Sequence, residues 1–272
     1  MELGVNRRLE LLATGLTDND LRRMVRRNEL IAVRPGWYAT RDADPQAVVA
    51  ARNHGALSGP TALDKHGFWV PPGYDSVHIR SGKAALDLGK ACCRPSGPPI
   101  PVHTILDQAP LALCAAIPCM TGDDWIAVAD SFMHSAQLDV ELLRAMLPRP
   151  TRVIDTLLTE CDPCSQSGTE TLVRIRLRRL GFEVVVQPRL IGVGFSDLLV
   201  GRLLIECDSE LHHTSLENYR NDRRRDRRAL AMGYSTMRLT YDDVLYGWDD
   251  TVADIEKTLA DDRHRIAPAW DD

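Results

Sequence analysis

The chain has 272 residues, 44% of them hydrophobic, and a formal net charge of −5. That length admits two or three domains with a sizeable core. So mild a charge excludes a basic surface spread over the whole molecule, so any nucleic-acid contact must be local, and no apolar run approaches the length of a membrane span. The first residues, Met1-Glu2-Leu3-Gly4-Val5-Asn6-Arg7-Arg8, lack the apolar core of a signal peptide. The expected compartment is the cytoplasm, with the seven cysteines as reduced thiols.

Residues 1–80 read as one domain. Leu9, Leu11, Leu12 and Leu16 give a short helix an apolar side. Thr17-Asp18-Asn19-Asp20 supplies an N-cap and an acidic first turn for a second helix, Asp18 to Asn28. Leu21, Met24, Val25 and Asn28 share one face of that helix, and Arg22, Arg23, Arg26 and Arg27 cover the others. Ile31–Arg34, Pro35-Gly36 and Trp37–Thr40 follow as strand, turn and strand. Helix, basic helix and two-stranded wing is the order of a winged helix-turn-helix, whose second helix enters the DNA major groove. The same arginines equally fit a solvated face on a structural helix. Through the basic helix and the following Val33-Arg34-Pro35-Gly36-Trp37-Tyr38, the region resembles the N-terminal winged-helix domain of AbiEi-type antitoxins. The resemblance implies DNA binding, with Arg22, Arg23, Arg26, Arg27 and Arg34 as contacts, and either transcriptional autoregulation or use as a fused module.

Pro45 to His54 reads as a helix, residues 56–63 as a turn and another helix, and Val77–Arg80 as a strand. Residues 81–165 read as a bridging segment. It holds a proline-rich loop over 92–101, helices from Asp123 to His134 and from Asp139 to Leu147, and then a short helix and linker. It shows no catalytic constellation. His54, His66, His78, His103 and His134 are scattered and read as surface or core residues. Cys161-Asp162-Pro163-Cys164 is a C-x-x-C unit, but a structural zinc site needs a second ligand pair. Adjacent Cys92 and Cys93 are poor chelating geometry, which favours ordinary packed or loop cysteines.

Residues 166–272 read as the domain that carries chemistry. Ser167-Gly168-Thr169-Glu170 is a capping-box signature for a helix to Leu180, with Glu170, Val173, Leu177 and Leu180 on one face. A strand over Glu183–Gln187 precedes the most informative stretch, Ser196 to Asp208. Gly201-Arg202 fits a two-residue type II′ turn, pairing Val200 with Leu203, Leu199 with Leu204, Leu198 with Ile205 and Asp197 with Glu206. Opposed carboxylates about 5 Å apart repel by about 3 kcal/mol at an effective dielectric of 20, which a proton or cation between them relieves. Asp208 leaves the strand on the face of Glu206, so three acids converge and suggest a divalent-metal site with Mg²⁺ first. Cys207 points to the other face and reads as packed. Beyond His212-His213, a helix over Leu216–Met232 presents Arg223-Arg224-Arg225 and Arg227-Arg228, which suit bidentate phosphate contact. Interleaved Asp222 and Asp226 suit a solvated helix of Arg–Asp pairs as well. A strand over 235–239 and a helix over 251–259 close the chain.

From about Ser167 to Thr240 the chain resembles the PD-(D/E)XK nuclease superfamily in its very-short-patch-repair-like branch. The matching residues are Glu170, Asp197, Glu206-Cys207-Asp208, His213, Tyr219 with Asp222 and Arg225, and the strand Gly233–Leu239. Two departures stand out: Ser209 replaces the glycine expected after E-x-D, and the superfamily's lysine is an aspartate at 208. The resemblance implies a restriction-endonuclease-like α/β/α core with a mixed sheet, in a chain that is α/β (α+β overall). It implies hydrolysis of DNA phosphodiesters in phage defence or toxin–antitoxin-like conflict. Asp197, Glu206 and the Cys207 carbonyl would hold Mg²⁺ or Mn²⁺, with Glu170 and Asp208 as outer contacts. His213 would act as general base or proton donor, and Arg224, Arg225 and Arg228 would bind the backbone. The other expectation is a non-catalytic, antitoxin-like regulator whose nuclease fold only grips nucleic acid. DNA is the expected partner, with RNA left open, and double-strand cleavage by a single-site enzyme would favour a homodimer.

Overall fold

The computed structural model describes residues 3–82, 93–208 and 216–260. The fold is mixed α/β with several small sheets. Contacts divide the chain into two compact units, Met1–Trp125 with Glu141–Thr159, and Ile126–Val140 with Glu160–Asp272. The expected bridging segment 81–165 is thus not a unit of its own; its residues are shared between the other two. Among the described residues no helix is long and apolar enough to cross a membrane.

The first unit opens with β1 (Val5–Arg7), α1 (Arg8–Ala13), α2 (Asp18–Arg26), β2 (Ile31–Arg34) and β3 (Trp37–Ala39). The three strands form an antiparallel sheet of order β1-β3-β2, with Val5 opposite Ala39 and Ile31 opposite Ala39 on the other side. Strand β1 was not expected. Helix α2 starts where Thr17 and Asp20 close a reciprocal capping box. It ends at Arg26 with Arg27 as its C-cap, Asn28 at φ +60° reverses the chain, and Gly36 at φ +75° turns β2 into β3. Leu21 is buried as expected, and Arg22, Arg23, Arg26 and Arg27 are exposed. The leucines of α1 depart from expectation: the helix buries none of its residues, and Leu9 is 60% exposed.

The unit continues with α3 (Pro45–Arg52), β4 (Gly55–Leu57), α4 (Gly59–Lys65), β5 (Ile79–Ser81) and α5 (Ala109–Ala116). Asp44 caps α3 by accepting from the Gln46 and Ala47 N–H groups, with Pro45 at the first helical position. Residues 55–57 pair as β4 with β5, where a turn was expected from residue 56. Gly55 is required there, because a Cβ would stand 2.2 Å from the Ile79 side chain. Val5, Trp37, Ala47, Ala50, Leu57 and Ile79 meet in one core. Helices α6 (Gly122–Ala136) and α7 (Val140–Met146) each have residues in both units, and α8 (Arg152–Leu158) belongs to the first.

The second unit contains α9 (Gly168–Arg179), β6 (Val185–Val186), β7 (Arg189–Leu190), β8 (Gly194–Phe195), β9 (Leu198–Val200) and β10 (Leu203–Cys207). It continues with α10 (Leu216–Ala231), β11 (Ser235–Leu239), α11 (Tyr241–Leu245) and α12 (Trp248–Ala260). Its main sheet has the order β11-β10-β9-β6 and is mixed. Strands β9 and β10 form the expected hairpin, with Gly201 at φ +57° in the turn. Strand β11 lies parallel to β10 after the crossover through α10. Leu198, Leu199, Val200, Leu203, Leu204 and Ile205 are all buried, so the hairpin is covered on both faces. On one face Leu199 and Leu204 pack with Ala229 of α10 and with Tyr234. In α9, Glu170, Val173 and Leu177 are buried as their spacing predicts, but Leu180 caps the helix and is half exposed.

Candidate functional site

The hairpin brings its acids to one end of the sheet. The β9–β10 ladder runs from Val200↔Leu203 to Leu198↔Ile205 and stops one pair short of the expected Asp197–Glu206 opposition. Asp197 instead ties itself to main chain. Its Oδ2 accepts from the Cys207 N–H at 2.7 Å, and its carbonyl accepts from the Gln187 N–H at 2.8 Å. Gln187 sits between acids, its side-chain amide donating to Glu170 Oε2 at 3.0 Å and to Asp197 Oδ1 at 3.5 Å. The Glu170 carboxylate also accepts from the Gln166 N–H at 3.0 Å, while the Glu170 N–H donates to the Ser167 cap. Gln187 has φ +49° just before Pro188, a conformation that costs on the order of 1 kcal/mol or more for a residue with a side chain. A cleft of about 390 Å³ is lined by Gln166, Gln187, Phe195, Asp197, Glu206 and Arg225.

Burial sets the electrostatics. It is the largest influence on Glu170, whose carboxyl is pushed up to about 7, with the Asp197 charge adding to the rise. Burial also raises the Asp197 carboxyl, against the Cys207 hydrogen bond that lowers it. It raises Glu206 too, with Arg225 opposing and Asp197 reinforcing. The Cys207 thiol is held well above its ordinary range, again by burial first. Burial therefore works against three charged carboxylates standing together, a cost that a proton or an external cation would relieve.

Arg225 closes one side. Its guanidinium donates to the Val193 and Phe195 carbonyls and to Glu206 Oε1, the last at 3.1 Å. The Arg–Asp pairs expected along this helix are present, Arg225 lying 3.9 Å from Asp222 and Arg223 4.0 Å from Asp226, and Asp226 also accepts from Arg238 of β11 at 3.0 Å. Arg228 donates to the Gly192 carbonyl, and Arg224 is exposed. Asp208 is exposed, its N–H is bound to the Leu239 carbonyl, and it does not line the cleft, but its charge is among those that raise Asp197. Ser209, His212 and His213 lie outside the described residues, as does the side chain of Tyr219. Among the described residues, no three acids of this site bring their oxygens within 4.8 Å of one another. Gln187 and Gln166 were missed in the sequence, where an amide near a strand end carries no signal of its own.

On the first unit, Arg23 pairs with Asp20 at 2.5 Å and Arg22 bonds the Asn19 side chain, while Arg27 lies 4.0 Å from Glu29. Arg34 stacks on the Trp37 ring, 4.5 Å from its centroid.

A second cluster was not expected. His78, Cys93 and Cys119 bring one ligand atom each within 4.8 Å of the others. The histidine was read as a filler and Cys93 as half of a poor chelating pair; chain crossing, not spacing, unites them. Cys161 and Cys164 join no such group among the described residues. Comparisons of the chain with protein families, with curated proteins and with solved structures find no match.

Proposed function

We propose that this chain is a divalent-metal-dependent DNA endonuclease of the PD-(D/E)XK, very-short-patch-repair-like kind, with a winged-helix nucleic-acid-binding module in its first 80 residues. One observation carries the reading: Asp197 and Glu206 project from the ends of a buried hairpin into a single open cleft, each with its carboxyl raised by burial. Half-buried carboxylates are the oxygen donors that Mg²⁺ or Mn²⁺ prefers, and the Cys207 carbonyl is the third donor that the resemblance implies. When bound, such an ion supplies charge neutralisation at a phosphodiester and a more acidic water. Arg225, which lines the cleft, would exchange Glu206 for a phosphate oxygen. Glu170, with its carboxyl near 7, can hold or release a proton at neutral pH, and Gln187 relays its position to Asp197.

The Arg225–Glu206 ion pair and the separation of the acids favour a second reading, a regulator that grips DNA without cutting it. Supercoiled plasmid incubated with Mg²⁺ or Mn²⁺, with and without chelator, separates the two. The endonuclease reading expects metal-dependent nicking, lost by about 10²-fold or more in Asp197→Asn, whose amide oxygen can still accept from Cys207. A mobility shift with no nicking in either protein supports the regulator. A parallel RNA substrate settles the choice of nucleic acid.

A further inference from the structure

We propose that His78 Nδ1, Cys93 Sγ and Cys119 Sγ of the first unit bind one Zn²⁺ ion. The site is independent of the acidic cleft and differs from it in chemistry, being thiolate and imidazole rather than oxygen. Cys93 Sγ stands 3.5 Å from His78 Nδ1 and 3.3 Å from Cys119 Sγ. A tetrahedral Zn²⁺, with Zn–S of about 2.3 Å and Zn–N of about 2.0 Å, holds sulfur and nitrogen about 3.5 Å apart and two sulfurs about 3.8 Å apart. The His78–Cys93 edge already has that length, the sulfur edge needs only a small opening, and the third edge, His78 to Cys119, lies within 4.8 Å. A disulfide would instead need the sulfurs to close to about 2.05 Å, and it would give the histidine no role.

The three ligands come from sequence positions far apart, and each is held by its own main chain. The His78 N–H donates to Thr61 Oγ1 and the His78 carbonyl accepts from Ser58. The Cys93 N–H donates to the Ile79 carbonyl, and the Cys119 N–H to the Ala116 carbonyl at the end of α5. The far ring nitrogen, His78 Nε2, lies 3.3 Å from the Ser76 hydroxyl. With Nε2–H donated there, the Nδ1 lone pair faces Cys93, the outer contact that orients a metal-bound histidine. Gly59 leaves the space: a Cβ on it would stand 2.5 Å from Cys93 Sγ, and its φ is +51°. His78 and Cys93 are buried, and two thiolates neutralise a divalent ion, so the charge can be buried with it. Cys119 is half buried, which leaves the fourth position to water. The ion would pin β5, the segment at residue 93 and the end of α5 together.

The test is metal content of the full chain purified under reducing conditions from zinc-supplemented medium. The expected result is about one zinc per chain, falling about tenfold or more in His78→Asn and in Cys119→Ser and unchanged in Cys164→Ser. In case those variants do not fold, the wild type is also loaded with Co²⁺ and its thiols are alkylated with and without metal. Thiolate-to-cobalt charge transfer, with Cys93 and Cys119 protected only when metal is present, supports the site. Zinc-free protein that takes up no Co²⁺ overturns it, as does copper or iron in place of zinc. A Cys93–Cys119 disulfide in protein alkylated at lysis also overturns it.

Discussion

Glu170 gives the acidic cleft a measurable signature. Its ordinary value is 4.5, and burial with the Asp197 charge lifts it to about 7 in the fold. Between those values the folded chain holds a proton that the unfolded chain has released. Stability therefore falls as pH rises through this window and levels off above it, by about 3 kcal/mol in all. Asp130, raised to about 6 by burial against the pull of Arg174, contributes in the same direction, so the informative quantity is a difference between proteins. In metal-free buffer the thermal midpoint of the wild type is expected to drop between pH 5 and 7.5 more steeply than that of Glu170→Gln, whose amide oxygen can still accept from Gln166. Parallel profiles would remove Glu170 as the source. Asp197 and Glu206 were legible in the sequence because a two-residue turn fixes the register and brings both to one end. Gln187 was not, since its role depends on a left-handed backbone that no residue spacing encodes.

Elements with a periodic apolar pattern and a cap were legible; short ones were not. Helix α9 follows from its Ser167 cap and its buried stripe, and β9–β10 from the glycine turn. The two-residue strands β7 and β8 and the five-residue α11 lie below the length at which periodicity can be read. Helix α5 was hidden differently, because Ala109–Ala116 is apolar nearly all round and buried, so it has no polar face to mark its period. Helix α2 shows the reverse: its arginines are legible, and they are exposed with Arg22 and Arg23 bonded to side chains of their own helix. If α2 enters the major groove, Arg22→Gln and Arg26→Gln each weaken DNA binding across sequences, and each lowers the slope of log affinity against log salt by about 0.9 per lost phosphate contact. Unchanged slopes in both variants would make the arginines a solvated face.

For the whole molecule, the mixed α/β class was legible in the sequence, the mixed sheet of the second unit was expected only through the resemblance, and the partition was not expected. Domain limits drawn at 80 and 165 rested on the local order of elements and a linker, whereas contacts divide the chain so that α6 and α7 each have residues in both units. The His78–Cys93–Cys119 cluster was hidden for the same reason. What the functional account needs is narrower than the fold: a cation drawn to the cleft where burial lifts Asp197 and Glu206. Calorimetric titration of Mn²⁺ into the full chain at pH 7.5, carried out with the zinc content held constant, tests this directly. The account predicts one Mn²⁺ per chain for the wild type and no uptake for Asp197→Asn. Equal uptake by both proteins, or none by the wild type, would contradict it.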